Sequence, residues 1–261
     1  MSITAKDVMS LRQATGVGMM DAKKALEANN GDQEAATQWL RVQGLASAAK
    51  RAGREAGEGS VAVVRDGNVA AMVELRCETD FAAKSDEFTS LVDEMAARVC
   101  AEGKDAVAQF QDNVETMLTT LKENISVGRV YRFVAGEGEV VDTYNHQHAG
   151  RNAVIVVLKG GDEKLAHEIA VHIAFAKPLY LAREDVPAAE IDAERKTIEE
   201  ISNNEGKPAA ALPKIIEGRL NGWFKERVLL EQNYIKDEKQ SIAHLLGSAT
   251  ITVYAQVVIG G

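Results

Sequence analysis

Only two of the 261 residues are cysteine, Cys77 and Cys100, so no disulfide framework can staple this chain. A reducing compartment is expected. Long apolar runs are missing as well. The longest, AVIVVL at 153–158, is far too short to cross a bilayer. The opening stretch, MSITAKDVMS, lacks the basic-then-apolar order of a secretory leader. Positive charge is in deficit: 30 Lys and Arg against 39 Asp and Glu give a net −9, which argues on bulk electrostatics against a nucleic-acid partner. Together these absences predict a soluble, cytoplasmic protein with neither a membrane nor a nucleic acid as partner. Chemistry-bearing motifs are equally scarce. GEG at 136–138 has no helix after it, so it reads as a turn rather than a phosphate loop. Neither cysteine belongs to a C-x-x-C pair. No nucleophile, base and orienter can be assembled. The sequence does not read as an enzyme's, and no cofactor or metal is expected.

What is present is an ordinary apolar complement, 46% by the broad count, enough for a real core. Charge is distributed unevenly. Residues 1–54 hold eight Lys and Arg and five acids, +3, leaving −12 for the remainder. A slightly basic head on an acidic body suggests a separate module. Thr4 and Asp7 have the spacing of a capping box. Helices are predicted after Thr4, over Met19–Ala28, and from Asp32 to a stop at Gly44. RAGREAGEGS at 51–60 reads as a linker, which puts a three-helix domain at 1–54. Asp66-Gly67 between apolar runs predicts a β-hairpin. Phe88, Leu91, Val92, Met95 and Val99 recur at helical spacing, with Ser85 as cap. A second helix carries Val114, Met117 and Leu121. Strands follow at 125–134 and from Glu139. The order strand, turn, helix then repeats in residues 151–178, which suggests an α+β core in two halves, 55–140 and 141–261. Within the second half, residues 187–226 form two helical stretches around NNEGKP. Their apolar positions are sparse: Ile191, Ile198, Ile201, Ile215, Ile216, Leu220 and Phe224. An antiparallel helix pair with so thin a stripe either projects from its domain or lies flat on the sheet. A short helix after Lys239 and a last strand, ATITVYAQVVI, close the chain.

Three constellations invite a functional reading. CETDFAAKS at 77–85 sets an acid, Asp80, beside a large ring, Phe81, between a strand and a helix. Local structure alone accounts for such a pair if Thr79 or Asp80 caps a helix and Phe81 enters the core. With the helix cap at Ser85, both residues instead fall in a lead-in outside the helix proper. His167-Glu168 resembles half of a zinc motif. The next histidine, His172, is five residues on, roughly 140° around the helix at about 100° per residue, so the two cannot share an ion on one face. His167 is expected to face solvent and His172 to be a satisfied helix residue. HQH at 146–148 would set His146 and His148 on one side of a strand. No cysteine or acid pattern accompanies them, so a partner contact or surface turn is expected there rather than a metal.

LRQATGVGMMDAKKAL at 11–26 closely resembles the N-terminal signature of translation elongation factor Ts, through Leu11, Arg12, Thr15, Gly16, Gly18, Met19, Asp21, Lys23, Lys24, Ala25 and Leu26. ELRCETDFAAK resembles the family's second signature, with Glu74, Thr79, Asp80, Phe81 and Lys84 in place. Arg76 and Ala82 depart from it, standing for a small or amide residue and for a valine. The likeness runs in order through IAVHIAFAKP and GKPAAALPKIIEGRLNGWFKE. It implies a ubiquitin-associated-like three-helix head, a two-part α+β core with antiparallel strands, and a projecting helical hairpin. It also implies nucleotide exchange on elongation factor Tu, GDP-bound and nucleotide-free. Thr79, Asp80, Phe81 and Ala82 would then dislodge the partner's Mg²⁺, with Phe81 as a wedge that the alanine at 82 trims by two methyls. Arg12, Met19, Met20, Lys23, His146 and His148 would contact the partner. A pure peptide- or ubiquitin-like-binding module stands as the rival reading of residues 1–50. A metal-dependent hydrolase is disfavoured by the histidine spacing.

Overall fold

A computed structural model of the chain describes residues 3–51, 53–146 and 150–261. The chain forms two compact units. One contains residues up to Val134 with Asn145–Ile155 and Val257–Gly261; the other contains Ala135–Tyr144 and Val156–Gln256. Helix and antiparallel strand are mixed, with the helices of the head preceding the first sheet.

In the first unit, α1 (Ala5–Thr15), α2 (Met19–Ala28) and α3 (Gln33–Arg51) form the head. Thr4 and Asp7 close a reciprocal capping box on α1, and Gly16, at φ 69°, ends that helix in the left-handed region where an L side chain is costly. Val8, Leu11, Ala22, Ala25, Leu26, Ala36 and Leu40 make a small core of their own. The expected stop of the third helix at Gly44 does not occur: α3 continues to Arg51. Gly44 serves another purpose. A Cβ there would sit 2.9 Å from the Thr119 Cβ of α6 (Gln111–Thr120), so the glycine lets two helices approach closely. Arg41 pairs with Asp112 and Glu115 of α6 across the same contact, and an Arg51 Nη donates to the Leu118 carbonyl.

The first sheet runs β1–β2–β3, all antiparallel. β1 (Glu58–Asp66) and β2 (Val69–Cys77) are joined by the two-residue turn Gly67-Asn68, one residue past the Asp66-Gly67 pair that signals it; Asp66 still pairs with Val69, and Gly67 takes φ 56° as the tight turn requires. β3 (Ser126–Val134) lies on the other side of β2. A strand in the middle of a sheet with both faces covered should be apolar nearly throughout, and residues 70–75 of β2 are all buried. Ala71, Val73, Leu75 and Cys77 meet Phe88, Leu91, Val92, Met95 and Val99 of α5 (Asp86–Glu102) in the main core. Glu74, on the opposite face, is the exception. Its carboxylate is 2% exposed and takes two hydrogen bonds from the Arg129 guanidinium, one from the Arg129 amide and one from Arg76.

The second sheet has the order β4 (Glu139–Asn145), β5 (Asn152–Lys159), β8 (Thr250–Val258). In the second unit, α7 (Glu163–Ala176) is tied to β4 by His167 and Asp142, 2.8 Å apart, and to β8 by Gln256, which donates to the Ala174 carbonyl. His172 is fully buried, bonded to Gln232 and to the Ile235 amide. The two histidines thus face different partners on different sides of α7. α8 (Ala188–Asn204) and α9 (Leu212–Arg227) pack on each other around Ile198, Leu220 and Phe224, with Val186 and Val228 at the base. Of the expected apolar stripe, Ile191 and Ile216 are half-buried, but Ile201 is exposed. Ser202 takes the inward position next to it, its hydroxyl bonded to the Ile198 carbonyl and within reach of Arg219. The base of the hairpin is stitched by backbone bonds from Leu179 and Tyr180 to the Arg227 carbonyl, and from Leu229 to the Tyr180 carbonyl. A small hairpin, β6 (Asn233–Tyr234) and β7 (Asp237–Ser241), precedes α10 (Ile242–Leu246). No helix among the described residues is long and apolar enough to cross a membrane.

Candidate functional site

The segment between β2 and α5 folds as two consecutive caps. Thr79 leaves β2 in extended conformation (φ −125°, ψ 152°), and its hydroxyl accepts the Ala82 amide, starting the single turn α4 (Asp80–Ala83). Lys84 ends that turn. Ser85 then caps α5, its hydroxyl accepting the Phe88 amide. Two N-caps with five residues between them leave room for one helical turn and no more.

That turn has a buried and an exposed side. Ala82 and Ala83 point into the main core, at 5% and 6% exposure. Phe81 points the other way, 84% exposed. The reading in which Phe81 fills the core therefore fails. The Ala82 side chain lies beneath the turn, away from the ring, so a shorter residue there does not trim the exposed surface. Beside the ring, Asp80 and Lys84 form an i,i+4 ion pair of 2.6 Å, and the hydrogen bond from Lys84 holds the Asp80 carboxyl below its ordinary value.

The turn is fixed from behind by a polar lattice. Burial pushes the Cys77 thiol up to about 11, with the Glu123 charge adding to it. The thiol thus stays protonated and donates to the Thr79 carbonyl over 3.1 Å. Glu123 accepts the Thr79 hydroxyl and the amides of Glu78 and Thr79. Glu78 in turn accepts the Asn124 amide and pairs with Arg54. An exposed aromatic ring on a freely moving loop would lose ordering entropy whenever it met a surface; on this turn most of that cost is already met in folding.

The other sequence-predicted residues lie elsewhere. On α2, Met19 and Met20 are exposed (Met20 at 75%), as is Lys23, three and four residues further along. That spacing places all three on neighbouring positions of the helix surface. Arg12 is exposed on α1. His146 is not on a strand: β4 ends at Asn145. His148 lies outside the described residues. Arg76 belongs to the Glu74 cluster rather than to the turn. Glu123 went unnoticed in the sequence, being 44 residues from Thr79 in a polar connection with no pattern of its own.

The first unit thus exposes a large ring on a single capped turn and two methionines on α2. Comparison with known proteins shows the family. The family model described as Elongation factor TS matches residues 78–260. An Elongation factor Ts of Clavibacter michiganensis subsp. michiganensis is 44% identical over 275 aligned positions, covering 99% of each chain. One from Renibacterium salmoninarum is 42% identical over 264 positions, covering 95% of this chain and 94% of its own. One from Arthrobacter sp. is 41% identical over 283, covering 98% of each. The chain belongs to the elongation factor Ts family. It is a translation elongation factor.

Proposed function

We propose that this protein is a guanine-nucleotide exchange factor for elongation factor Tu, and that it works by binding rather than by bond chemistry. Phe81 is the wedge of the reaction. GDP in a GTPase is held partly through Mg²⁺ bridging phosphate oxygens and side chains. Forcing a ring between elements of the partner moves the groups that hold the ion. Once the ion leaves, phosphate charge is uncompensated and GDP affinity falls. Asp80, with Thr79 behind it, sets the ring's approach through polar contacts to the partner. The factor binds the nucleotide-free partner more tightly than the loaded one, and by linkage each ligand weakens the other equally.

Docking falls to the head, residues 1–54, through Arg12, Met19, Met20 and Lys23, with His146 and His148 as further partner contacts. Exposed, flexible methionines suit a surface that must adapt to a partner. The observation that carries the reading is the 84% exposure of Phe81 on a turn whose neighbours are locked in the core.

The test is Phe81→Ala. Its melting temperature should stay close to that of the unaltered protein, while release of labelled GDP from elongation factor Tu slows strongly in the presence of Mg²⁺. Chelating Mg²⁺ weakens GDP by itself, so the defect should shrink when EDTA is added. Unchanged release from a folded variant would overturn the wedge. Deleting residues 1–50 should weaken exchange further through lost docking; full-rate exchange by that truncation would remove the head from the mechanism.

A further inference from the structure

The Phe81 turn is a single turn of helix, too short to hold its own shape. What holds it comes from the connection between α6 and β3, three consecutive residues of which reach in three directions. Lys122 adopts φ 59°, a left-handed conformation unfavourable for a lysine, which persists only where the surroundings fix it. Its ammonium meets Asp21 of α2 at 2.6 Å. Asn124 donates its amide N–H to Glu78 and its side-chain amide to the Arg54 carbonyl.

Glu123, between them, makes the densest contact. One carboxylate oxygen accepts the Thr79 hydroxyl at 2.6 Å; the other accepts the amides of Glu78 and Thr79 at 3.0 and 3.1 Å. The Thr79 hydroxyl is the same one that caps α4 by accepting the Ala82 amide. Its proton is committed to Glu123, which leaves its lone pairs aimed at the helix. Glu123 therefore decides the orientation of the cap, and the cap decides where the next residue but one, Phe81, points.

We propose that Glu123 is the positioning residue for Phe81: it touches neither partner nor nucleotide, but sets the direction in which the ring is presented. The inference rests on the exchange reading above. Glu123→Ala removes all three bonds. Glu123→Gln keeps the two backbone bonds through its amide oxygen, while its NH₂ donates to the Thr79 hydroxyl: that bond is reversed, but the hydroxyl stays anchored and keeps a lone pair for the Ala82 amide.

The experiment compares the full-length protein, Phe81→Ala, Glu123→Ala, Glu123→Gln and the double variant Phe81→Ala/Glu123→Ala. It measures GDP release from elongation factor Tu and amide hydrogen exchange of the free factor. Glu123→Ala should slow GDP release roughly tenfold to a hundredfold, as misplacement of a working group does. It should speed amide exchange at 78–82 while leaving β1 and β2 protected. Glu123→Gln should recover most of the rate, and the double variant should be no slower than Phe81→Ala alone. Full additivity in the double variant, or Glu123→Ala exchanging GDP at the full rate, overturns the positioning role. If Phe81→Ala itself leaves release unchanged, the wedge fails instead, and the amide-exchange result then reports on the clamp by itself.

Discussion

Two phenylalanines seven residues apart are used in opposite ways. Phe88, on the first turn of α5, is fully buried, while Phe81, on α4, is 84% exposed. Both follow directly from a capped helix start, with Thr79 before one and Ser85 before the other. The difference is in what holds each element. α5 is seventeen residues long and is held by the apolar stripe that Phe88 begins, so its ring is part of the adhesive. α4 is four residues long and is held by two alanines beneath and a polar lattice behind, so its ring is free for another use. A side chain becomes available for recognition only when other groups have taken over the work of folding.

The sharpest way to break this contrast is to truncate both rings. Phe88→Ala should destabilise by about 3–5 kcal/mol through the cavity it leaves. Phe81→Ala should cost under about 1 kcal/mol, since little buried area is lost. Thermal or urea unfolding of both variants measures this, and similar losses for the two would abolish the distinction. Next in size is Glu74, the polar exception in the buried sheet. Burial alone would raise its carboxyl. The hydrogen bonds from Arg129 and Arg76, with the Arg129 charge, outweigh that and hold it at about 2, against an ordinary 4.5. A depressed folded-state value stabilises the fold above about pH 4.5, and that stability drains away as pH falls towards 2. Glu74→Ala should cost about 3 kcal/mol at neutral pH, because Arg129 and the Gly128–Arg129 backbone lose their acceptor. Its unfolding should also show a flatter acid limb.

A smaller effect is expected in the α8–α9 pair, which resembles α5 in being held by apolar contacts but has far fewer of them. Ile198→Ala should speed amide exchange throughout α8 and α9 and leave β1–β3 unaltered. If the sheet strands lost protection as well, the hairpin would be part of the main cooperative unit. The smallest effect concerns His172. Burial lowers its pKa, and the Gln232 hydrogen bond only partly opposes this. The neutral ring is the folded form, so its contribution is complete above the unfolded value near 6.5 and declines as pH falls through the lower folded value. His172→Gln should lessen the loss of stability on mild acidification, measured as melting temperature against pH.

The sequence signals that proved reliable are those in which a few neighbouring residues decide the outcome. The Thr4–Asp7 capping box, the hairpin signalled by Asp66-Gly67 and the Ser85 cap are of this kind; the cap and the box appear where their spacing indicates, and the hairpin turn falls one residue later, at Gly67-Asn68. The separation of Asp80 and Phe81 from the helix proper followed from the last of these. Which side of α4 would face the core was not legible, because one turn has no periodicity to read and the answer depends on β2 beneath it. Glu123 was hidden for the same reason at longer range. Ile201 and Gly44 were misjudged from their residue types: an isoleucine at helical spacing faces solvent while a serine turns inward, and a glycine late in a helix marks a close neighbour instead of an end. The β6–β7 hairpin is only two and five residues long, too short for an alternating pattern to stand out.

The crowding of α3 against α6 at Gly44 reverses a familiar rule of protein engineering. Replacing a glycine within a helix by alanine normally gains up to about 1 kcal/mol, since alanine loses less backbone freedom on folding. At position 44 the added methyl has nowhere to go but into Thr119, on a helix whose own partner carbonyls and carboxylates fix α3 from both sides. The substitution that a table of helix propensities would recommend first is therefore the one that would pry the head from the helix it rests on.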